Sequence, residues 1–191
     1  MSGSTLAAYT QQGKLAALGR VVVVGVSGSG KTSLAQYLGR RLAVPHIECD
    51  ALFWGPGWQP IPRDDFRGRV AAAMDAPAWV IDGNYSSVRD LVWPRATALV
   101  WLDYPLPLVL WRLARRTPRR VISREELWNG NRERLRDNLF SRDSIFLYAL
   151  TSHPRHRREY PALLARPEYA HLAVVRLRHP HETEQWLNNV V

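Results

Sequence analysis

The chain contains very little cysteine and no long uninterrupted apolar run. Its 191 residues include one cysteine, Cys49, which excludes an internal disulfide and a cysteine-built zinc site. The best apolar run, from Leu99 to Trp111, is interrupted by one aspartate and two prolines, so it does not suit a membrane span. The first twenty residues lack the apolar core of a signal peptide. These absences favour a cytoplasmic protein without membrane contact.

Lysine is also scarce. It occurs only at Lys14 and Lys31, so arginine supplies nearly all of the formal net charge of +9. The planar guanidinium group binds phosphate through two parallel hydrogen bonds, so the arginine excess suits either a polyphosphate ligand or nucleic acid. The alternative is that many of these arginines lie on solvated helix faces.

The most informative motif is Gly25-Val26-Ser27-Gly28-Ser29-Gly30-Lys31-Thr32, which fits the P-loop pattern G-x-x-x-x-G-K-[ST]. It follows a predicted buried strand of four valines and precedes a predicted helix that runs to about Ala43. Glycines let backbone N–H groups approach a phosphate chain, and the helix directs its positive end at that anion. The alternative is a glycine-rich turn that binds nothing. The residues expected to bind the phosphates of ATP are Gly25, Ser27, Gly28, Ser29, Gly30, Lys31, Thr32 and Ser33.

Two further predicted strands end in carboxylates. The strand from Val44 ends at Asp50, and the strand from Trp79 ends at Asp82. Ligands lie at the carboxyl ends of strands in open α/β sheets, so we expect Asp50 to face the acceptor. We expect Asp82 to join the Thr32 hydroxyl in binding Mg²⁺. The alternative for both aspartates is helix capping or turn formation.

Aromatic residues are concentrated directly after Asp50. Trp54 and Trp58 flank a Gly-Pro-Gly turn, and this loop either walls a small-molecule pocket or packs on the sheet as a hydrophobic plug. Tyr85 and Arg89 follow the third strand and are weaker candidates for contact with the acceptor.

The rest of the chain continues the alternation of strands and helices. Further strands are predicted near residues 97–103 and 171–177, and helices over 63–74, 108–116 and 180–190, with Pro118 ending the middle helix. Asp103 is interpreted as a turn residue. This alternation predicts an α/β protein with a parallel sheet and right-handed crossovers.

The segment between the fourth and fifth predicted strands is polar and dense in arginine. It begins with the capping-box form Ser123-Arg124-Glu125-Glu126 and is interrupted at Trp128-Asn129-Gly130-Asn131. We predict a lid over about residues 117–158 that closes over phosphates, against the alternative of a solvated helix pair. His153 and His156 are interpreted as surface residues. The arginines expected to contact the transferred phosphoryl group are Arg116, Arg119, Arg120 and Arg134.

Three blocks of residues together resemble a known family. They are the P-loop, the block Asp50-Ala51-Leu52-Phe53-Trp54 with Pro56-Gly57-Trp58, and Trp79-Val80-Ile81-Asp82-Gly83-Asn84-Tyr85. They resemble the bacterial adenylate-kinase-related P-loop proteins, also called DNA topology modulation proteins, from Val21 to the last helix. The resemblance implies the nucleoside-monophosphate-kinase fold, a sheet order of 2-3-1-4-5, a mobile lid and ATP at the P-loop. Residues 1–20 are then a flexible leader or short helix, and residues 21–191 form one kinase-like domain.

One departure from that resemblance concerns the acceptor. Adenylate kinases continue the third-strand Asp-Gly with Phe-Pro-Arg, whereas this chain continues with Asn84-Tyr85-Ser86. Shikimate and gluconate kinases of the same fold place an aspartate at the end of the second strand near the acceptor hydroxyl, and Asp50 matches that position. The comparison favours a small hydroxylated or phosphorylated acceptor over AMP.

The sequence therefore predicts a monomeric or homodimeric phosphotransferase that uses Mg²⁺ and ATP and phosphorylates a small molecule. A competing interpretation is an ATP-dependent regulator that binds nucleic acid, which is disfavoured because no helix-turn-helix, zinc finger or aromatic–basic RNA motif is present. The predicted catalytic residues are Lys31, Asp50, Arg116, Arg120 and Arg134, with Arg119 at the nucleotide. The predicted acceptor contacts are Asp50, Trp54, Tyr85 and Arg89, and the predicted Mg²⁺ ligands are Thr32 and Asp82.

Overall fold

A computed structural model describes residues 19–123, 125–132 and 144–190 of the chain. A five-stranded parallel sheet runs through them in the order β2-β3-β1-β4-β5. The strands are β1 Arg20–Gly25, β2 His46–Glu48, β3 Trp79–Asp82, β4 Ala98–Leu102 and β5 Ala173–Leu177. The predicted α/β fold and sheet order are therefore confirmed.

Helices connect the strands and cover both faces of the sheet. In the described residues they are α1 Lys31–Leu42, α2 Cys49–Phe53, α3 Arg63–Ala73, α4 Arg89–Val92, α5 Leu106–Ser123, α6 Ile145–Leu164 and α7 Pro180–Val190. Single turns of 3₁₀ helix lie at Pro56–Trp58 and Trp128–Gly130. None of the described helices is long and apolar enough to cross a membrane.

The valines of β1 explain why the core has two halves. Successive strand residues point to opposite faces, so Val21 and Val23 enter one cluster while Val22 and Val24 enter the other. Both pairs are at most 2% exposed, as expected for a central parallel strand covered on both sides. Helices α1, α5 and α7 contribute to the first cluster, and α3, α4 and the end of α6 to the second. The central strand is thereby fixed at the point where the P-loop leaves the sheet.

Two expectations about α5 and the segment after it are wrong. Pro118 does not end the helix, which continues to Ser123. Pro118 and Ala114 are both exposed, so the carbonyl that the proline leaves without its helical donor faces water, and the apolar face of the helix stays buried. Ser123 ends α5 instead of capping a new helix, and its hydroxyl donates to the Arg120 carbonyl at 3.3 Å.

The expectation that His153 and His156 lie at the surface is also wrong. Helix α6 begins against the first core cluster, at Ala149, and ends against the second, at Tyr160. Its middle is buried, leaving His153 and His156 only 7% and 5% exposed. The His156 ring stacks on Tyr160 at 4.8 Å, and burial together with nearby arginines lowers the pKa of His156 to about 4. Its imidazole is therefore neutral at physiological pH.

Asp103 is a buried ion-pair partner and not a turn residue. Its carboxylate is 3% exposed and accepts hydrogen bonds from Arg157 Nε at 2.6 Å and Arg176 Nη2 at 2.6 Å. Arg176 also lies over the Trp101 ring at 4.3 Å. These contacts tie α6 and β5 to the end of β4, so part of the arginine excess has a structural role.

Replacing Asp103 by alanine should destabilise the fold without weakening nucleotide binding. Both guanidinium groups reach solvent, so we expect the free energy of unfolding, measured in urea, to fall by roughly 3 kcal/mol, the low end for a broken buried ion pair. Asp90→Ala is the matched control, because its ion pair with Arg67 at 2.8 Å leaves the Asp90 side chain 63% exposed and should contribute less than about 1 kcal/mol. Equal losses in the two variants would contradict this assignment.

Candidate nucleotide and acceptor site

The P-loop is a tight backbone turn that requires glycine at two positions. Gly28 and Gly30 have φ values of 84° and 95°, in the left-handed region that side chains disfavour. A Cβ atom at Gly28 would lie 2.7 Å from Leu113 Cγ and 3.0 Å from the Val109 carbonyl oxygen. Because the loop packs this closely on α5, its backbone is held in one conformation.

Helix α1 begins directly at the P-loop lysine. The Leu34 N–H donates to the Gly30 carbonyl at 3.0 Å, which is the first hydrogen bond of the helix. The N–H groups of residues 31–33 therefore have no partner within the helix and lie at its positive end. Lys31 and Thr32 are half-buried and line this cleft together with Ser27, while Ser33 lies at its exposed rim. The arrangement of amides and a lysine is suited to a chain of phosphates.

Asp82 lies next to Thr32 at the end of β3. The Thr32 hydroxyl donates to Asp82 Oδ2 at 2.6 Å, and His46 Nε2 lies 3.0 Å from Asp82 Oδ1. Asp82 is 2% exposed, and the contacts with Thr32 and His46, one on each carboxylate oxygen, fix the orientation of its side chain. A hydroxyl and a carboxylate are the oxygen ligands that Mg²⁺ prefers. The described residues contain no cluster of three acidic, histidine or cysteine side chains that could hold a metal ion.

His46 is a residue of this site that the sequence reasoning missed. It lies on the same face of β2 as Glu48, two positions away, and β2 pairs with β3 so that His46 opposes Val80. The alternation of polar residues along the predicted strand was a signal for this arrangement. The partner of His46 could not be inferred before the order of the strands was known.

Asn84 joins the P-loop to the segment after β3. Its side-chain Oδ1 accepts from the Gly25 N–H at 3.0 Å, and its Nδ2 donates to the Gly25 carbonyl. The Tyr160 hydroxyl of α6 donates to the same Oδ1 at 3.3 Å. The Asn84 side chain therefore pairs both backbone polar groups of the first P-loop residue, as a further residue of β3 would have done.

Asp50 faces the cleft from α2, not from a strand end. Strand β2 ends at Glu48, and Asp50 lies in the first turn of α2, where its carbonyl accepts the Trp54 N–H at 3.1 Å. The Tyr85 hydroxyl donates to Asp50 Oδ1 at 2.6 Å. Burial, followed by the adjacent Asp50 charge, raises the pKa of Tyr85, so the phenol remains a hydrogen-bond donor. No described residue donates to Asp50 Oδ2.

A second segment closes on the loop that follows Asp50. We call residues 54–60 the acceptor loop and residues 125–132 the clasp. Asn131 is 4% exposed, its Nδ2 donates to the Gly55 carbonyl at 2.8 Å, and its Oδ1 accepts the Trp58 N–H at 2.9 Å. Trp128 packs edge-on against Trp58 at 6.0 Å, and Trp58 packs likewise against Trp54 at 5.7 Å. Part of the predicted lid is thus attached to the acceptor side of the cleft.

Glu48 is a second acidic group at this end of the cleft. Burial raises the pKa of Glu48 above its ordinary value of 4.5, and the Asp82 and Asp50 charges act in the same direction, while a hydrogen bond from Trp128 opposes them. Trp128 belongs to the clasp, and it lines the cleft together with Glu48. Sequence reasoning missed Glu48, because its partner lies 80 residues away in the chain.

Arginines of α5 line the opposite wall. Arg112, Arg116 and Arg120 are spaced four residues apart and share one helix face. Arg112 Nη1 donates to the Ser29 carbonyl at 2.8 Å, which fixes this face beside the P-loop. Arg120 pairs with Glu125 of the clasp at 3.4 Å.

One cleft of about 2240 Å³ unites most of the predicted site residues. Residues 27–33 of the P-loop and helix start, together with Asp50, Trp54 and Tyr85, line it. Gly25 and the buried Asp82 are not among its lining residues. Arg119 is exposed and is not among its lining residues, and Arg89 lies over the Trp93 ring at 5.0 Å, outside the cleft. Arg134 lies outside the described residues. The roles of the individual side chains therefore remain predictions.

The chain shares its parallel α/β fold and sheet order with solved structures of small-molecule kinases. It is similar to a gluconokinase from Sinorhizobium meliloti 1021, with 19% identity, 93% of each chain covered and a TM-score of 0.52. It is similar to a shikimate kinase from Bacteroides thetaiotaomicron, with 16% identity, 90% of this chain and 95% of the other covered, and a TM-score of 0.51. It is also similar to a shikimate kinase from Acinetobacter baumannii, solved in complex with shikimate, with 14% identity, 95% of this chain and 93% of the other covered, and a TM-score of 0.50.

These similarities establish the fold alone. No protein-family model and no curated protein matches the chain. The resemblance to the DNA topology modulation group therefore stays a prediction.

Replacing Asn84 by alanine should weaken nucleotide binding. The Gly25 N–H and carbonyl groups lose their partner, at a cost of about 1–3 kcal/mol, and the first residue of the P-loop is released. We expect the Kd for ATP, measured by calorimetry, to rise several-fold, while Asn188→Ala on the exposed face of α7 leaves it unchanged. An unaltered Kd in Asn84→Ala would refute this positioning role.

Replacing Glu48 by glutamine should make the pH dependence of stability smaller. The folded protein binds a proton at Glu48 more readily than the unfolded chain does, so this group lowers stability as the pH rises above 4.5. Glutamine removes that penalty and retains an oxygen for Trp128. We expect Glu48→Gln to have the higher Tm at pH 7.5 and no advantage at pH 4. A pH-independent difference in Tm would show that Glu48 is not the titrating group.

Proposed function

We propose that the protein is a phosphotransferase that moves the γ-phosphoryl group of ATP to a hydroxyl group of a small molecule, with Mg²⁺. The observation that carries the proposal is the 2.6 Å hydrogen bond between Thr32 and Asp82 beside the P-loop. It combines a phosphate-binding turn with the two oxygen groups that would hold Mg²⁺. The similarity in fold to gluconokinase and shikimate kinases supports the same reaction class.

Each side of the cleft would have a separate task. The P-loop amides and Lys31 would bind the β- and γ-phosphates, and Arg116 and Arg120 would stabilise the phosphoryl group during transfer. Thr32 and Asp82 would hold Mg²⁺, which neutralises charge on the phosphate oxygens when bound. His46 would orient the Asp82 carboxylate.

Asp50 is suited to activate the acceptor. Its Oδ1 accepts the Tyr85 hydroxyl, which fixes the rotation of the carboxylate, and Asp50 lines the cleft. Asp50 would accept the proton that the acceptor hydroxyl loses as its oxygen bonds to the γ-phosphorus. The enzyme's contribution is then mainly position and fixed charge.

Lys31→Ala should abolish ATP turnover and leave the fold intact. Lys31 is half-buried at the start of α1 and supports no core contact, whereas its charge would face the β- and γ-phosphates. We expect ADP release to fall by at least about 100-fold, with an unchanged circular dichroism spectrum. Turnover equal to that of the parent protein would remove the kinase assignment.

Asp50→Asn should separate transfer from nucleotide binding. The amide keeps an oxygen for the Tyr85 hydroxyl but is a poor proton acceptor, so the transfer rate should fall about 100-fold or more. The Kd for ATP should change by less than about twofold, since Asp50 belongs to the acceptor side. Loss of ATP binding in this variant would place Asp50 in the nucleotide site instead.

A further inference from the structure

The acceptor end of the cleft carries negative charge and apolar surface. Glu48 and Asp50 both line it, and so do Trp54, Trp58 and Trp128, whose indole rings pack edge-on against one another. Small-molecule sites commonly combine apolar walls with a few fixed polar groups. Here the fixed polar groups are acidic.

One of the two carboxylates is held by a direct hydrogen bond, since Asp50 accepts the Tyr85 hydroxyl at 2.6 Å. Glu48 ends β2, whose pairing with β3 sets Glu48 opposite Asp82, and both Glu48 and Trp128 of the clasp line the cleft. The clasp is fixed to the acceptor loop by the two hydrogen bonds of the buried Asn131. The sheet and the clasp therefore keep both carboxylates at this end of the cleft.

The described arginines near this end already have acidic partners. Arg132 Nη2 lies 3.6 Å from Glu126, and Arg120 Nε lies 3.4 Å from Glu125. Arg112, farther along α5, is bonded to the P-loop carbonyl of Ser29. Among the described residues at the acceptor end, Arg120 and Arg132 are thus paired with glutamates of the clasp, while Glu48 and Asp50 supply negative charge to the cleft lining.

We propose that the acceptor is a hydroxylated ring compound with no carboxylate or phosphate of its own, namely a free sugar, a cyclitol or an amino sugar. This inference rests on the proposed function. The apolar face of such a ring would lie on the tryptophans, and Asp50 and Glu48 would accept hydrogen bonds from its hydroxyl or ammonium groups. An anionic acceptor would have to approach two fixed carboxylates, and such a repulsive element is an effective source of specificity.

The reaction balances without a further reagent. The acceptor hydroxyl oxygen forms a bond to the γ-phosphorus as the bond from that phosphorus to the β–γ bridging oxygen breaks. ADP leaves, and the hydroxyl proton passes to Asp50 and then to solvent. Glu48 takes no part in the transfer, so it is a specificity-determining residue rather than a catalytic one.

The test is a coupled ADP-release assay on acceptors that differ in charge. Glucose, glucosamine and myo-inositol are compared with gluconate and shikimate, which are similar in size, and with AMP as a larger anion. We expect at least one neutral or cationic compound to have a kcat/KM roughly tenfold or more above that of every anionic one. A higher kcat/KM for an anionic compound would overturn the inference, and so would the absence of turnover with every neutral and cationic compound.

Glu48→Gln tests the residue directly. The variant retains an oxygen for Trp128 but loses the charge, so the ratio of kcat/KM for the neutral or cationic acceptor over gluconate should fall about tenfold. Glu168→Gln is the control, because it makes the same charge change at an exposed position paired only with Arg166 at 3.6 Å. An unchanged ratio in Glu48→Gln would overturn the role of Glu48.

Nucleotide binding separates failure of this inference from failure of the proposed function. If Mg-ATP raises the Tm of the protein but ADP is released only with anionic compounds, the inference fails and the phosphotransferase stands. If Mg-ATP neither binds nor is turned over with any acceptor, the proposed function fails, and this inference fails with it.

Discussion

The site depends on the alignment of β1 with β3 in the parallel sheet. This register pairs Val23 with Asp82, so the carboxylate emerges from β3 where the P-loop leaves β1. The hydrogen bond from Thr32 to Asp82 then joins the start of α1 to the end of β3, and Asn84, two residues after Asp82, adds a second connection to Gly25. The chemistry proposed for the P-loop requires this alignment, because a shift of one residue would turn Asp82 to the other face of the sheet.

Two groups of charged side chains line the cleft. Arg112 of α5 bonds the Ser29 carbonyl of the P-loop, whereas Glu48 ends β2 and Asp50 lies in the first turn of α2. The clasp, a part of the predicted lid, is attached by Asn131 to the loop that follows α2. Closure of the whole segment over phosphates stays a prediction.

The local sequence predicted the parts of the structure whose causes are local. Four successive valines strongly favour a buried strand, and the spacing of glycine, lysine and threonine in the P-loop motif specifies a particular backbone turn. Asp82 was correctly placed at a strand end, because a buried run followed by Gly83 leaves few alternatives. Asp50 was placed on the correct side of the sheet but in the wrong element, since the helical turn at Asp50 begins one residue after β2.

The parts that sequence reasoning missed depend on contacts between distant residues. His153 and His156 were predicted to lie at the surface because histidine is polar. They are buried because α6 runs from one half of the core to the other. Asn129 and Asn131 read as a break in a helix, yet each bonds backbone carbonyls of the segment 51–55. Such pairings have no signature in one sequence.

The proposed pairing of the P-loop with a Mg²⁺ site at Thr32 and Asp82 is tested most directly by calorimetric titration of ATP with and without Mg²⁺. The titration is made in the parent protein and in Asp82→Asn. Mg²⁺ should strengthen ATP binding in the parent protein and have little effect in the variant, and equal Mg²⁺ dependence in both would contradict the proposal.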